Sequence, residues 1–225
     1  MFRKAGFAPN NYYHIYNRGT DKREIFLNNS DYLRFIALLY ICNNIKPVHI
    51  QWFTQERPLD EIFNIQRENI LIDIGAYCLM PNHFHLLVKE KEENGISNFM
   101  RKLSTAYAMY FNKKYERSGN LFQGRFKSEL IDKNEYLKYL FSYIHLNPIK
   151  LIEPNWKETG IKDEGRAIKF LNNYQWSSYV FYIGGKQKDP ILDKNKFPDY
   201  FENIKEFKTF IAGWLNYQSL FKVGP

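Results

Sequence analysis

The stretch that decides the fold is ILIDIGAYCLM (70–80), Pro81-Asn82, then HFHLLVKE (83–90). Two apolar, β-favouring runs separated by a Pro-Asn turn predict a central antiparallel hairpin. Its second strand carries His83-Phe84-His85. Strand residues two apart point to one face, so the two imidazoles converge while Phe84 enters the opposite layer. Neutral imidazole is the commonest protein metal ligand, and two on a rigid strand make a half-site needing a third donor from another element. Asn147 and Gln123 are the amide-oxygen candidates.

Working outward, YYHIYNRG (12–19) alternates aromatic and polar groups before a glycine and predicts a first strand. His14 and Asn17 lie on it as candidate cleft-lining groups. Ser30 precedes DYLRFIALLYICNN and is expected to cap a helix. Residues 44–69, which include His49, predict little regular structure. Gly95-Ile96-Ser97 opens a helix to about Tyr115, LFQGRFKSELI (121–131) alternates as another strand, and residues 135–147 form a helix that Pro148 ends. The order predicts an α+β fold, a ferredoxin-like antiparallel sheet covered by helices. Residues 1–150 would form the main domain. Residues 151–225 would be an extension packed on it by Trp176, Tyr179 and Trp214.

In the last of these helices, Leu137, Leu140, Phe141 and Ile144 recur at i, i+3, i+4 and i+7 and should face the sheet. Tyr143 and Asn147 fall one turn apart on an adjoining line, so a phenol and an amide oxygen can reach one site. His145 points away from Tyr143 and reads as structural.

The 225 residues carry 32 basic and 24 acidic side chains, a formal +8 that favours an anionic partner. Within 101–127, Arg101, Lys102, Lys113, Lys114, Arg117, Arg125 and Lys127 face only Glu116. Arg101, Lys102, Lys113, Lys114, Arg125 and Lys127 are therefore candidate contacts for an anionic partner such as nucleic acid. Arg125 and Lys127, two apart on one predicted strand, are the preferred phosphate contacts. Aromatics reach 18%, which serves both core packing and base stacking. Cys42 and Cys78 sit in apolar stretches and match neither a disulfide framework nor a zinc spacing. No apolar run is long enough for a membrane span and the start lacks a signal-peptide core, so a cytoplasmic protein is expected.

YCLMPNHFHLLVKE (77–90), SGNLFQGRFKSELI (118–131) and YLKYLFSYIHLNPIK (136–150) together resemble the signature blocks of REP-associated tyrosine transposases, single-tyrosine HUH relatives of insertion-sequence transposases. YHIYNRGTDKREIF (13–26) and YQWSSY (174–179) resemble that group too. The resemblance implies an HUH endonuclease fold, His83 and His85 as metal ligands, Tyr143 as nucleophile and Asn147 where relatives place a third polar ligand, often Gln. It also implies Mg²⁺ or Mn²⁺ and a single-stranded or hairpin DNA substrate cut through a 5′-phosphotyrosine bond. Imidazoles alone favour softer ions such as Zn²⁺ and Mg²⁺ prefers oxygen, so manganese reconciles the two best. With one tyrosine per chain, strand exchange suggests a homodimer. The competing readings are a nucleic-acid-binding module without catalysis, and a metal-dependent phosphodiesterase that activates water.

Overall fold

Alternating side chains build a sheet with two different faces. The computed structural model describes residues 6–47, 58–184 and 189–215. The first five residues, His49 with the rest of 48–57, and the end of the last segment, 216–225, lie outside them. Among the described residues the strands are β1 (Tyr12–Arg18), β2 (Ile72–Met80), β3 (His83–Glu90) and β4 (Lys127–Ile131), ordered β2-β3-β1-β4 with antiparallel neighbours. Helices α1 (Asn29–Ile41), α2 (Leu59–Phe63), α3 (Gly95–Lys114) and α4 (Asn134–Leu146) follow in chain order, then α5 (Trp156–Thr159), α6 (Glu164–Asn173), α7 (Tyr179–Tyr182) and α8 (Ile204–Leu215). The β1-α1-β2-β3-α3-β4 succession with this strand order is the ferredoxin-like split arrangement expected.

On one face Ile15, Phe84, Leu86 and Val88 pack with Phe35 and Leu38 of α1 and with Phe99, Leu103, Tyr107 and Phe111 of α3. On the other, Ala76, Cys78, Met80 and Leu87 meet Leu137, Leu140, Phe141 and Ile144 of α4, the predicted stripe. Both cysteines are buried and free. His83 and His85 alternate with Phe84, so they lie on the α4 face. A bulge at Gly75 shifts β2 between Ile74 and Ala76 and lets the Phe197 ring close on its Cα, where a Cβ would stand 2.7 Å from ring carbons.

Three expectations change. The cap of α1 is Asn28, not Ser30: its Oδ1 accepts from Ser30 N at 3.1 Å while Asp31 accepts from Asn28 N at 3.2 Å, a reciprocal box that starts the helix earlier. Residues 121–126 leave the predicted strand, because Leu121 and Phe122 are buried consecutively and Gly124 turns at φ 69°. Segment 44–69 contains α2. As expected, α4 ends before Pro148, which sits in the first turn of a 3-10 segment, Asn147–Leu151, where a missing N–H costs nothing.

The described residues after 150 build a further core. It joins Leu146 and Ile149 to Trp156, Ala167, Leu171, Tyr179, Phe207, Ile211 and Leu215. Trp176 stacks on Tyr32 with ring centroids 4.5 Å apart, and Trp214 meets Tyr139 at 5.0 Å. Leu79 N donates to Trp176 O at 2.9 Å and Ser178 N to Tyr77 O at 3.0 Å, so this segment covers the open edge of β2.

Candidate active site

The site forms where β1, β3 and α4 meet. Register pairs Tyr16 with His85, and period two places His14 on the same face. Helix α4, held by its apolar stripe, sets the Tyr143 ring 5.5 Å from His85 and 5.7 Å from His14, both edge-on. His83 and His85 lie 5.0 Å apart with perpendicular rings. Tyr143, Asn147, His83, His85, Asn17 and Gln123 line one cleft of about 560 Å³, together with Tyr16, Arg18, Lys22, Asn82, Lys127 and Lys150. A cavity of about 570 Å³ under Phe141, Tyr182 and Phe207 gathers no imidazole.

Hydrogen bonds fix the imidazoles. His83 Nδ1 donates to Asn82 Oδ1 at 2.6 Å, which leaves Nε2 with a lone pair. His85 Nδ1 lies 2.9 Å from His14 Nε2. If His85 donates there, its own Nε2 is free and His14 carries its proton on Nδ1, toward Glu129 Oε2 at 3.9 Å. That last separation is an ion-pair distance, too long for a hydrogen bond. Glu129 is in turn held by the hydroxyls of Tyr16 at 3.0 Å and Tyr136 at 3.2 Å. A carboxylate behind an imidazole behind a ligand is how proteins orient metal-binding histidines.

Charge states agree with a cation site. Burial pushes His83 down to about 4 and His85 well below the ordinary imidazole value, so both are neutral above mildly acidic pH. Asn147 Nδ2 donates to the Tyr143 carbonyl at 2.8 Å, while Asn147 Oδ1 is buried without a hydrogen-bond partner. A buried acceptor left unsatisfied beside two neutral imidazoles is chemistry that a divalent ion would complete. Among the described residues no group of three or more His, Cys, Asp or Glu is arranged to hold a metal, so the donor set here rests on the amide oxygen. Tyr143 itself is raised above the ordinary phenol value by burial, with the Asn147 amide opposing the shift.

The model of the family "Transposase IS200 like" matches residues 9–147, more than half of the chain. The chain belongs to the IS200-like transposase family. Transposition of DNA is the activity of that family, and DNA is its partner. Among solved structures, a REP-associated tyrosine transposase bound to a REP hairpin is 15% identical, covering 91% of this chain and 92% of its own at a TM-score of 0.48. A candidate transposase from Deinococcus radiodurans is also 15% identical, covering 64% and 95% at a TM-score of 0.35. No curated protein matches.

The structure of this IS200-like transposase divides the predicted basic run. Helix α3, carrying Arg101, Lys102, Lys113 and Lys114, packs on the sheet face opposite Tyr143. Lys102 Nζ donates to the carbonyls of Asn44, Ile45 and Lys46, and Lys114 Nζ binds Asp31 at 2.8 Å. Both ammonium groups are engaged within the fold. Arg125 lies off β4, beside a groove with Ser104 and Asn112, and so does not share a strand face with Lys127. Lys127 does reach the cleft. His145, fully buried with Nε2 2.7 Å from Ser178 Oγ, is structural as expected. Sequence reasoning missed Arg18, Lys22 and Lys150 in the cleft and Glu129 behind His14. Glu129 was discoverable, two residues beyond Lys127 on a strand; Lys150 closes the block that contains Tyr143.

Proposed function

We propose that this transposase cuts and rejoins single-stranded DNA with Tyr143 as nucleophile. The phenol oxygen attacks the scissile phosphorus, a 5′-phosphotyrosine ester forms, and the bond to the 3′ oxygen breaks to release a 3′-hydroxyl. Because the ester retains the energy of the broken bond, an incoming 3′-hydroxyl rejoins the strand without ATP. His83, His85 and Asn147 would hold Mg²⁺ or Mn²⁺, which when bound supplies polarisation of the scissile phosphate. Arg18, Lys22, Lys127 and Lys150 receive the DNA backbone; Arg101, Lys113 and Arg125 offer an outer surface for flanking strands. Residues 1–150 form the nuclease unit and 151–225 its cover. Two copies supply the two tyrosines that strand exchange requires.

One observation carries this reading: Tyr143, two neutral imidazoles and the unsatisfied Asn147 oxygen line a single cleft rimmed by cations. The hairpin substrate comes from the resemblance of the blocks at 77–90, 118–131 and 136–150. A pool of 3′-labelled hairpin oligonucleotides with randomised flanks, incubated with Mn²⁺, tests it. An SDS-stable labelled protein that disappears in Tyr143→Phe and with EDTA is expected. Cleavage without adduct would indicate a water-activating phosphodiesterase, and binding without cleavage a non-catalytic module.

A further inference from the structure

Tyr143 needs a proton acceptor that the cleft's histidines do not offer. Its oxygen can form an ester with phosphorus only as the phenol proton leaves. His83 and His85 have their Nδ1 atoms engaged and their other nitrogens aimed at the cation site, and His14 is bonded to His85.

An amine reaches the nucleophile from outside the family-matched segment. Lys157 belongs to α5, one residue beyond Trp156, which is 2% exposed and anchors the extension's core. Its Nζ stands 4.1 Å from the centroid of the Tyr143 ring. Burial, then repulsion from Lys150, lowers this ammonium to about 7 against the attraction of Glu158. An amine near neutrality is the kind of group that both takes and returns a proton efficiently.

We propose that Lys157 is a further catalytic residue, a proton shuttle that accepts the Tyr143 phenol proton during attack and delivers it to the departing 3′ oxygen. The inference rests on Tyr143 being the nucleophile. As the Oη–P bond forms, the phenol proton moves to the neutral Nζ. The P–O3′ bond breaks with its electron pair on O3′, and the ammonium protonates that oxygen. The proton lost by tyrosine thus ends on the 3′-hydroxyl, with no other acid, oxidant or reductant consumed. Rejoining runs the same path backwards. The flexible four-carbon stem carries Nζ from the ring face to the hydroxyl, a closure left for the DNA-bound state.

A phosphate clamp would need only positive charge, and arginine distinguishes the two roles because it stays protonated. The test compares wild type, Lys157→Met, Lys157→Arg and Tyr143→Phe on the same labelled hairpin pool with Mn²⁺, following adduct rate from pH 5.5 to 9 and oligonucleotide affinity. Both lysine variants should lose about a hundredfold or more in adduct rate while binding DNA within a few fold. The wild-type rise in rate centred near pH 7 should vanish in Lys157→Arg. In the DNA-free protein, NMR titration of the lysine Cε resonances should contain one amine titrating near neutrality that both variants lack, a readout independent of turnover. Wild-type adduct with Lys157→Arg near the wild-type rate, or no such amine, overturns the shuttle and leaves Tyr143 in place. No wild-type adduct overturns the nucleophile reading and the shuttle with it.

Discussion

Tyr143 is only as useful as the groups that hold its partners. His85 is aimed by His14, and His14 by Glu129, so removing the middle imidazole should let His85 turn or change tautomer. His14→Phe is expected to weaken Mn²⁺ binding about 10–100-fold, measured by competition of free and bound Mn²⁺ in electron paramagnetic resonance. Unchanged affinity would mean that His85 is oriented by packing alone. At this scale the sequence was partly readable. Period two alone aims His83 and His85 at one point. The i, i+4 relation puts Tyr143 beside Asn147, yet choosing Tyr143 among 17 tyrosines took the SYIHLNP resemblance. Lys157 was invisible because its approach depends on how a distant segment folds back, which no local pattern encodes.

Elements explain which charges serve the fold and which serve DNA. Lys114 on α3 neutralises Asp31, whose side chain is fully buried and also accepts from Tyr110 and Tyr115. Lys114→Met should cost about 1–3 kcal/mol in urea denaturation and leave oligonucleotide affinity unchanged. Loss of affinity at constant stability would place Lys114 on the DNA surface. At the bulge, Gly75→Ala should cost about 1–3 kcal/mol, read in the same way, because the added methyl drives the Phe197 ring away. The hairpin and the helices over 95–115 and 135–147 were legible because apolar periodicity dominates them. The short β4 was not: alternation from 121 to 131 persists on paper, and the turn at Gly124 is a backbone choice that composition does not force. The basic run misled for a related reason. Proximity in sequence placed α3 beside Lys127, whereas the sheet separates them.

Across the whole molecule a formal +8 favours nucleic acid, and the cleft concentrates Arg18, Lys22, Lys127 and Lys150. Single substitutions of Lys127 or Lys150 to Met should weaken hairpin binding on all sequences alike and lower the salt slope by about one. A slope unchanged from wild type would take that residue off the phosphate path. Acid should loosen the structure through its buried histidines. His145 falls from 6.5 to about 3 on burial, so the unfolded chain binds a proton that the folded one refuses. Stability is therefore expected to decline as pH drops from about 6.5 toward 3, and His145→Gln should lose less over that range in urea titrations. An equal loss would assign the acid response to other groups.

Tyr136, Tyr139 and Tyr143 form a line of rings along α4, with centroids about 6 Å apart, so the family of the chain does not by itself decide which one carries DNA. Tryptic digestion of the SDS-stable adduct, followed by mass spectrometry of the nucleotide-bearing peptide, decides it. A 5′-phosphonucleotide on Tyr143 is predicted; the same mass on Tyr136 or Tyr139, or on no tyrosine, would contradict the account.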